Sequence, residues 1–222
     1  MEATTTIKNH DAAARPAWTP SSSAALLAGP HIWRDAADFT EFGGWALDTQ
    51  YVCLMGSAYL MATGVGTPVK DAVLQLDVEE AGTYRLWARC RNWLPSHSPG
   101  QFHIAVNGQV AEHVFGAAQS DAWLWESGGE FELEAGKAEV RLQDLTGYYG
   151  RCGSVVLTRD LAWQPREDLE GFRAERARCK GLPAAPVQGG QFQLIVAGAG
   201  AAGCCAARTG PGPGGALAMC PG

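Results

Sequence analysis

The clearest structural signal in the chain is the nonapeptide Thr83-Tyr84-Arg85-Leu86-Trp87-Ala88-Arg89-Cys90-Arg91. Tyr, Leu, Ala and Cys occupy alternate positions, and Arg and Trp occupy the positions between them. Because successive side chains of a strand point to opposite faces, this period of two predicts a β-strand with one buried face. The Ala81-Gly82 pair before it predicts a turn from the preceding strand.

Similar short strands are predicted on both sides of this one. Val73–Val78 alternates in the same way, and Phe102–Val106 is followed by Asn107-Gly108, a strong hairpin signal because both residues tolerate positive φ. Further strand candidates are His31–Ala36, Trp45–Asp48, Val110–Phe115, Trp123–Trp125, Phe131–Leu133, Ala138–Asp144 and Val155–Leu157. Roughly eight to ten short strands separated by turns predict a mainly β protein, an antiparallel β-sandwich or jelly roll.

Composition excludes several classes of protein. The chain has 222 residues, 46% hydrophobic and 18% charged, which suits a folded chain of one domain or a domain and a half. A net charge of −6 argues against a nucleic-acid partner. The seven cysteines have no regular spacing and no histidine at metal-ligand spacing, so we expect small core residues rather than a metal site.

The N-terminal region carries no recognisable targeting signal. Its apolar run Ala24–Ala28 is too short for a signal peptide and follows no basic region. No stretch reaches the roughly 18 apolar residues of a membrane span. We therefore expect a cytoplasmic protein without a membrane partner.

Changes of composition predict four regions. Residues 1–30 are rich in Ala, Thr, Ser and Pro, which indicates a mobile leader, and residues 31–162 hold the β-sandwich as an accessory domain. Residues 163–190 form a charged segment followed by a Pro/Gly linker. Within that segment Arg166–Lys180 is predicted as a short exposed helix interrupted at Gly171. Residues 191–222 begin a different pattern.

That pattern is typical of the start of a dinucleotide-binding domain. The apolar run Leu194–Ala197 leads into Gly198-x-Gly200-x-x-Gly203, where the glycines permit a tight turn, approach of a pyrophosphate and close helix packing. The acidic ribose-binding residue expected about 20 residues later is missing. The sequence thus predicts the truncated first strand and helix of a Rossmann-like domain, with these three glycines as cofactor-binding residues.

Several short motifs stand in order along the predicted sandwich: Gly43-Gly44-Trp45, Asp48-Thr49-Gln50, Met55–Leu60, Gly82–Trp87, Arg91-Asn92-Trp93, His97–Gly100, Asp144–Gly147 and Arg151-Cys152. With the glycines that follow, they resemble the N-terminal region of a family of bacterial FAD-dependent oxidoreductases. The resemblance implies the N-terminal fragment of such an enzyme, inactive without its missing flavin domain. Full-length relatives would carry FAD, and this chain alone is expected to bind none.

The alternative hypothesis is a stand-alone β-sandwich that binds carbohydrate or a protein partner, because the sandwich also resembles galactose-binding-like jelly rolls. Trp87 shares a strand face with Arg89 and Arg91, and an indole between guanidinium groups can stack on a sugar ring. Packing of Trp87 beneath a loop or another domain explains the same pattern. Trp93 and His97 lie in a long polar loop that is a candidate rim of the site.

The sequence contains few residue patterns that indicate catalysis. Asp144, Tyr148, Tyr149 and Arg151 cluster near a predicted strand end, where a buried Asp–Arg pair bracing the turn is the default explanation. The chain contains no Gly-x-Ser-x-Gly, His-Glu-x-x-His or phosphate-binding lysine loop. We therefore assign no catalytic residue.

Overall fold

The computed structural model describes residues 30–183, the strands Leu194–Ala197 and Leu217–Cys220, and Cys205. The chain divides into two compact units, Met1–Ala184 and Ala185–Gly222. The described part of the first unit is built from antiparallel strands in two sheets, which confirms the predicted β-sandwich.

The strands of the first unit are β1 His31–Asp35, β2 Trp45–Asp48, β3 Tyr59–Ala62, β4 Ala72–Val78, β5 Gly82–Arg91, β6 Phe102–Val106, β7 Gln109–Val110, β8 Trp123–Leu133, β9 Gly136–Asp144 and β10 Arg151–Thr158. Its helices are a 3-10 turn Ala36–Asp38, α1 Val52–Met55 and α2 Leu169–Cys179. The large sheet has the order β2-β3-β10-β5-β8, with β1 paired to β10, and the small sheet has the order β4-β9-β6-β7.

The period of two in the sequence sets which side chains enter the core. On β5 the inward residues are those predicted, among them Leu86 and Cys90, and on β4 Leu74 and Leu76 meet them from the small sheet. The hairpin between β6 and β7 turns at Asn107-Gly108, where φ is 48° and 81°. Local sequence therefore decides the inward face of each strand.

Strand β8 differs from its prediction because two glycines form a bulge instead of a break. The sequence predicted separate pieces ending at Trp125 and beginning at Phe131, whereas one strand runs through both. Its register against β5 shifts by a residue at Gly128-Gly129. A Cβ at Gly128 would lie 2.5 Å from Cδ2 of Leu86, so glycine allows this close approach.

The outer face of the large sheet is covered by helix α2. Phe172 is fully buried there, with its ring 5.5 Å from that of Trp33 and 6.3 Å from that of Trp125. The predicted interruption at Gly171 does not occur, because Gly171 lies in the first turn and its N–H donates to the capping carboxylate of Asp168 at 2.7 Å. The helix is therefore continuous, and it is not fully exposed, because Phe172 and Cys179 are buried.

A buried carboxylate anchors α2 to β1. Asp35 accepts hydrogen bonds from Arg176 and Lys180 on the helix, each at 2.8 Å, and from Trp33 and Ser154 within the sheet. Burial alone would raise the pKa of Asp35, but the hydrogen bonds and charges of Arg176 and Lys180 outweigh it and lower that pKa. Asp35 is thus ionised at neutral pH and holds both cations.

The second unit contains the strand that the sequence predicted. Strand β11 spans Leu194–Ala197 and pairs in parallel with β12, Leu217–Cys220. The predicted cofactor-binding residues Gly198, Gly200 and Gly203 lie outside the described residues.

Candidate functional site

Four loop segments meet at one end of the sandwich, which we call the loop end. They are segments 63–71, 92–101, 116–122 and 145–150. They come together because β3, β5 and β9 end there, and β4, β6, β8 and β10 begin there. Loops held by a rigid sandwich are common carriers of binding residues.

The loop end carries an aromatic cluster formed by Trp93, Tyr148 and Tyr149. Trp93 Nε1 donates to the backbone oxygen of Tyr148 at 3.0 Å, and its ring lies 6.0 Å from that of Tyr149 in an edge-to-face arrangement. The guanidinium carbon of Arg151 lies 5.5 Å from the centroid of the Trp93 ring. Tyr148 is 45% exposed, and a Cβ at Gly66 would lie 2.7 Å from its hydroxyl, so its ring lies against segment 63–71. The loop end thus presents the Trp93–Tyr149 pair with the Arg151 cation, and the exposed ring of Tyr148 joined to them through its backbone.

Asp144 holds the backbone beneath this cluster. Its carboxylate accepts hydrogen bonds from the N–H groups of Val69 at 3.0 Å, Thr146 at 3.2 Å and Gly147 at 3.1 Å. The Asp144–Arg151 pair suggested by the sequence is therefore wrong, because backbone donors occupy the carboxylate and Arg151 donates to the oxygen of Tyr149 instead. Asp144 braces the turn, as expected, but by a different bond.

Segments 63–71 and 145–150 are in close backbone contact. The N–H of Gly66 donates to the oxygen of Gly147 at 3.3 Å. Gly147 has φ +74°, and a Cβ there would lie 2.3 Å from the nitrogen of Thr67. Only glycine therefore fits, and the exposed Tyr148 follows directly from this fixed point.

Tyr149 has an unusual backbone conformation. Its φ is 61°, in the left-handed region that costs a non-glycine residue roughly 1–2 kcal/mol. The contacts of Trp93 and Arg151 with Tyr149 hold this conformation in place. Strained residues persist where the surrounding structure over-determines them, and they concentrate at functional sites.

Two residues predicted to bind a ligand lie beneath α2. Trp87 packs against the cluster that contains Phe172, and its indole N–H is buried without a hydrogen-bond partner in the described part of the chain. Arg89 is 2% exposed and lies 4.1 Å from the centroid of the Phe172 ring. Burial lowers the pKa of Arg89, against the opposing charge of Glu167. Both side chains are structural partners of α2 in this fold.

The other predicted residues lie nearer the loop end. Arg91 donates to the backbone oxygen of Asp121 at 2.6 Å and covers the ring of Tyr51 at 4.2 Å. His97 is exposed, with Nδ1 2.8 Å from the hydroxyl of Ser96. Of the predicted set, the structure joins only Trp93 to the aromatic cluster, and the ligand-binding role of the set stays a prediction.

The sequence places Tyr148 and Tyr149 in a turn near a strand end and gives them no binding role. Two adjacent tyrosines between Gly147 and Gly150 signal an exposed turn with large side chains, which could have marked them as binding residues. Their proximity to Trp93 is a tertiary contact across 55 positions of sequence. Spacing could not have revealed it.

A second concave region lies beside β1. Its volume is about 150 Å³, and it is lined by residues that include His31, Arg34, Glu79, Glu80 and Arg159. Three of its charged side chains are paired, Arg159 with Glu80 at 2.5 Å and Asp77 with Lys137 at 2.6 Å. Burial and the charge of Arg178 lower the pKa of His31 against the carboxylate of Asp160, so that imidazole is neutral at pH 7. These internal pairs make it a weaker candidate than the loop end.

Metal and membrane features are not found within the described residues. No group of three or more His, Cys, Asp or Glu side chains there is arranged to hold a metal ion. Likewise, no helix in this part of the chain has the length and apolarity needed to cross a bilayer.

Comparison with known proteins gives matches only among solved structures. No protein-family model and no curated protein matches the chain. A GH26-CBM35 β-(1,4)-mannanase of Podospora anserina matches with 20% identity and a TM-score of 0.49, over 61% of this chain and 29% of the mannanase. A family 35 carbohydrate-binding module of Clostridium thermocellum matches with 17% identity and a TM-score of 0.46, over 57% and 96%. A C-terminal CBM6 module from Zobellia galactanivorans matches with 13% identity and a TM-score of 0.46, over 58% and 99%.

These matches correct the family suggested by the sequence. They are carbohydrate-binding modules and a mannanase, not FAD-dependent oxidoreductases, so the prediction of an oxidoreductase fragment is wrong. FAD in relatives and a missing flavin domain lose their support with it. The shared motifs have a general structural cause: Gly43, Gly56 and Gly147 all have positive φ, which many sandwich turns require.

Proposed function

We propose that the protein is a carbohydrate-binding module whose site is the loop end. The carrying observation is the aromatic cluster, in which the guanidinium of Arg151 lies over the Trp93 ring and Trp93 is hydrogen-bonded to the backbone of the 45% exposed Tyr148. A pyranose ring has an apolar C–H face that stacks on an aromatic ring, and hydroxyl groups that need hydrogen-bond partners. The solved structures of similar fold are named as carbohydrate-binding modules, and we propose the same ligand class here.

The polar groups around the cluster suit hydroxyl ligands. Arg151 is half-buried and carries several N–H donors that can reach sugar oxygens. The exposed imidazole of His97 lies on the same loop-end segment as Trp93, four residues further along the chain. The Asp144 carboxylate is not available, because backbone N–H groups already occupy it.

The site is organised before a ligand arrives. Trp93 is fixed by its bond to the backbone of Tyr148, and the turn that carries Tyr148 is fixed by Asp144. Side chains that are already ordered lose little conformational entropy on binding. A preorganised aromatic surface of this kind favours binding of exposed sugar rings.

The experiment is glycan binding by the full chain, first on a glycan array and then by titration calorimetry with the best ligand. We expect Trp93→Ala and Tyr148→Ala each to weaken binding by about tenfold or more, equivalent to about 1.4 kcal/mol. Val110→Ala is the matched control, because Val110 is also 45% exposed but lies beside the hairpin at the opposite end.

Circular dichroism of each variant separates loss of the site from loss of the fold. Failure of the wild-type protein to bind any glycan would reject the proposal. Unchanged affinity in both aromatic variants would reject the loop end as the site.

A further inference from the structure

Two buried cysteines lie directly opposite each other on neighbouring central strands. The antiparallel register pairs Cys152 of β10 with Cys90 of β5, and both side chains belong to the sandwich core. Opposite residues of antiparallel strands have Cα atoms about 4.5 or 5.5 Å apart. Both distances fall within the roughly 4.4–6.8 Å that a disulfide spans.

Both cysteines are free in this structure, and both are buried in the same core cluster. Their opposite positions on paired strands, with both side chains on the core face of the sheet, place the two thiols next to each other. Cysteine pairs with this placement need little backbone movement to be joined. By contrast, Cys179 lies on α2 in a different cluster and Cys53 is exposed on α1.

We propose that Cys90 and Cys152 are a modification site that forms a cross-strand disulfide when the chain folds with a small-molecule disulfide, such as oxidised glutathione. One cysteine thiolate attacks a sulfur of oxidised glutathione and releases one glutathione thiolate. The second cysteine thiolate attacks the protein sulfur of the mixed disulfide and releases the other. Two protein thiols are oxidised by two electrons, one glutathione disulfide is reduced, and the two protons end on the two glutathione thiols.

The reaction belongs to folding rather than to the finished fold. Each cysteine is only 1% exposed, so a dissolved disulfide cannot reach either sulfur once the core has closed. Burial, followed by the neighbouring Cys152 side chain, raises the pKa of Cys90, which further reduces the reactive thiolate in the folded state. The same burial protects the bond from reductants after it has formed.

The bridge would act on the two strands that support the loop end. Trp93 follows shortly after Cys90, and Arg151 directly precedes Cys152. A bond between residues 90 and 152 also closes a long loop in the unfolded chain, which reduces its conformational freedom and stabilises the folded state. This inference does not depend on the proposed ligand.

The test is refolding of the urea-denatured full chain with and without oxidised glutathione. Iodoacetamide then blocks remaining thiols, and proteolysis with mass spectrometry identifies cross-linked peptides. We expect a reductant-sensitive peptide pair that joins Cys90 to Cys152 as the main bridge after oxidative refolding. The oxidised protein should also show a higher urea midpoint than the same protein refolded in reduced glutathione.

Two variants sharpen the result. Cys90→Val should abolish the bridge, and Cys179→Ala should leave it intact, because Cys179 is buried without contributing to the pair. If Cys90→Val does not fold, the peptide map of the wild-type protein still decides. Glutathione attached to either cysteine, a scrambled set of bridges, or no Cys90–Cys152 peptide would each overturn the proposal.

Discussion

At the scale of the residue, the large sheet depends on two charged side chains that lie out of water. Arg89 donates from Nη1 to the backbone oxygen of Met55 at 3.1 Å, so its guanidinium joins β5 to the end of α1. Asp35 joins β1 to α2 through Arg176 and Lys180. Isolated charges are expensive to bury; the Asp35 carboxylate accepts four hydrogen bonds, and Arg89 donates two to backbone oxygens.

The Asp35 network predicts a pH-dependent stability. Because its pKa is lowered in the folded protein, Asp35 contributes stability above its unfolded pKa of about 3.9 and loses it as pH falls through the folded pKa. We expect Asp35→Asn to lower the free energy of unfolding by about 3 kcal/mol at pH 7, and by less below about pH 4. Urea denaturation of both proteins between pH 3 and 7 measures this difference.

Asp77→Asn is the control for that series. Asp77 also forms an ion pair, with Lys137 at 2.6 Å, but both side chains are mostly exposed. An exposed pair is worth roughly 0–1 kcal/mol, so its loss should be small at every pH. Equal destabilisation by the two variants, or a cost of Asp35→Asn that does not shrink in acid, would contradict the role given to Asp35.

At the scale of the element, the loop end is shaped by backbone contacts that few side chains allow. Segment 145–150 contacts segment 63–71 through Gly147, and the Asp144 carboxylate caps its N–H groups. Strand β9 therefore leads into a turn whose geometry is fixed by segment 63–71 and by the Asp144 carboxylate. This is why the exposed Tyr148 has a defined position.

Two glycine substitutions test that fixed contact. Gly147 and Gly129 both have positive φ, at +74° and +88°, but a Cβ at Gly129 meets nothing within 4 Å. Gly129→Ala should therefore cost only the backbone penalty of about 1–2 kcal/mol. Gly147→Ala adds a clash with the backbone of Thr67, and we expect a cost of about 3 kcal/mol or more. Urea midpoints of the two variants provide the comparison, and equal values would mean that the loops do not touch as described.

At the scale of the whole molecule, both faces of the large sheet are packed against other elements of the first unit. The inner face of the large sheet packs on the small sheet, and helices α1 and α2 bury aromatic residues on its outer face. Most large aromatic side chains of residues 30–183 are thus buried, while Leu54 and Val65 stay exposed at 65% and 81%. Exposed aromatic surface remains at the loop end, where we place the ligand.

This organisation predicts that the first unit folds alone. A chain that ends after Ala184 keeps both sheets, both helices and the Asp35 network. We expect it to unfold in one cooperative transition with the same midpoint as the full chain, and to bind the same glycan. Thermal unfolding followed by circular dichroism is the measurement. An insoluble or partly unfolded product would show that residues 185–222 complete its core.

The sequence by itself determined most of the strands and the inward faces of β4, β5, β6 and β9, because side-chain alternation and turn residues are local properties. It missed β3 and predicted Val110–Phe115 as a strand where only Gln109–Val110 is one. Leu86, the Asn107-Gly108 hairpin and the strand at Leu194 are all visible without coordinates. Tertiary structure alone decided that Trp87 lies beneath α2 and that Trp93 meets Tyr148, because both depend on which distant segments pack together. The family motifs gave a wrong prediction of function for the same reason. Short glycine and aromatic patterns indicate turns and strands, which many folds share. A binding site depends on which loops lie next to each other, and that is decided only when the sandwich packs.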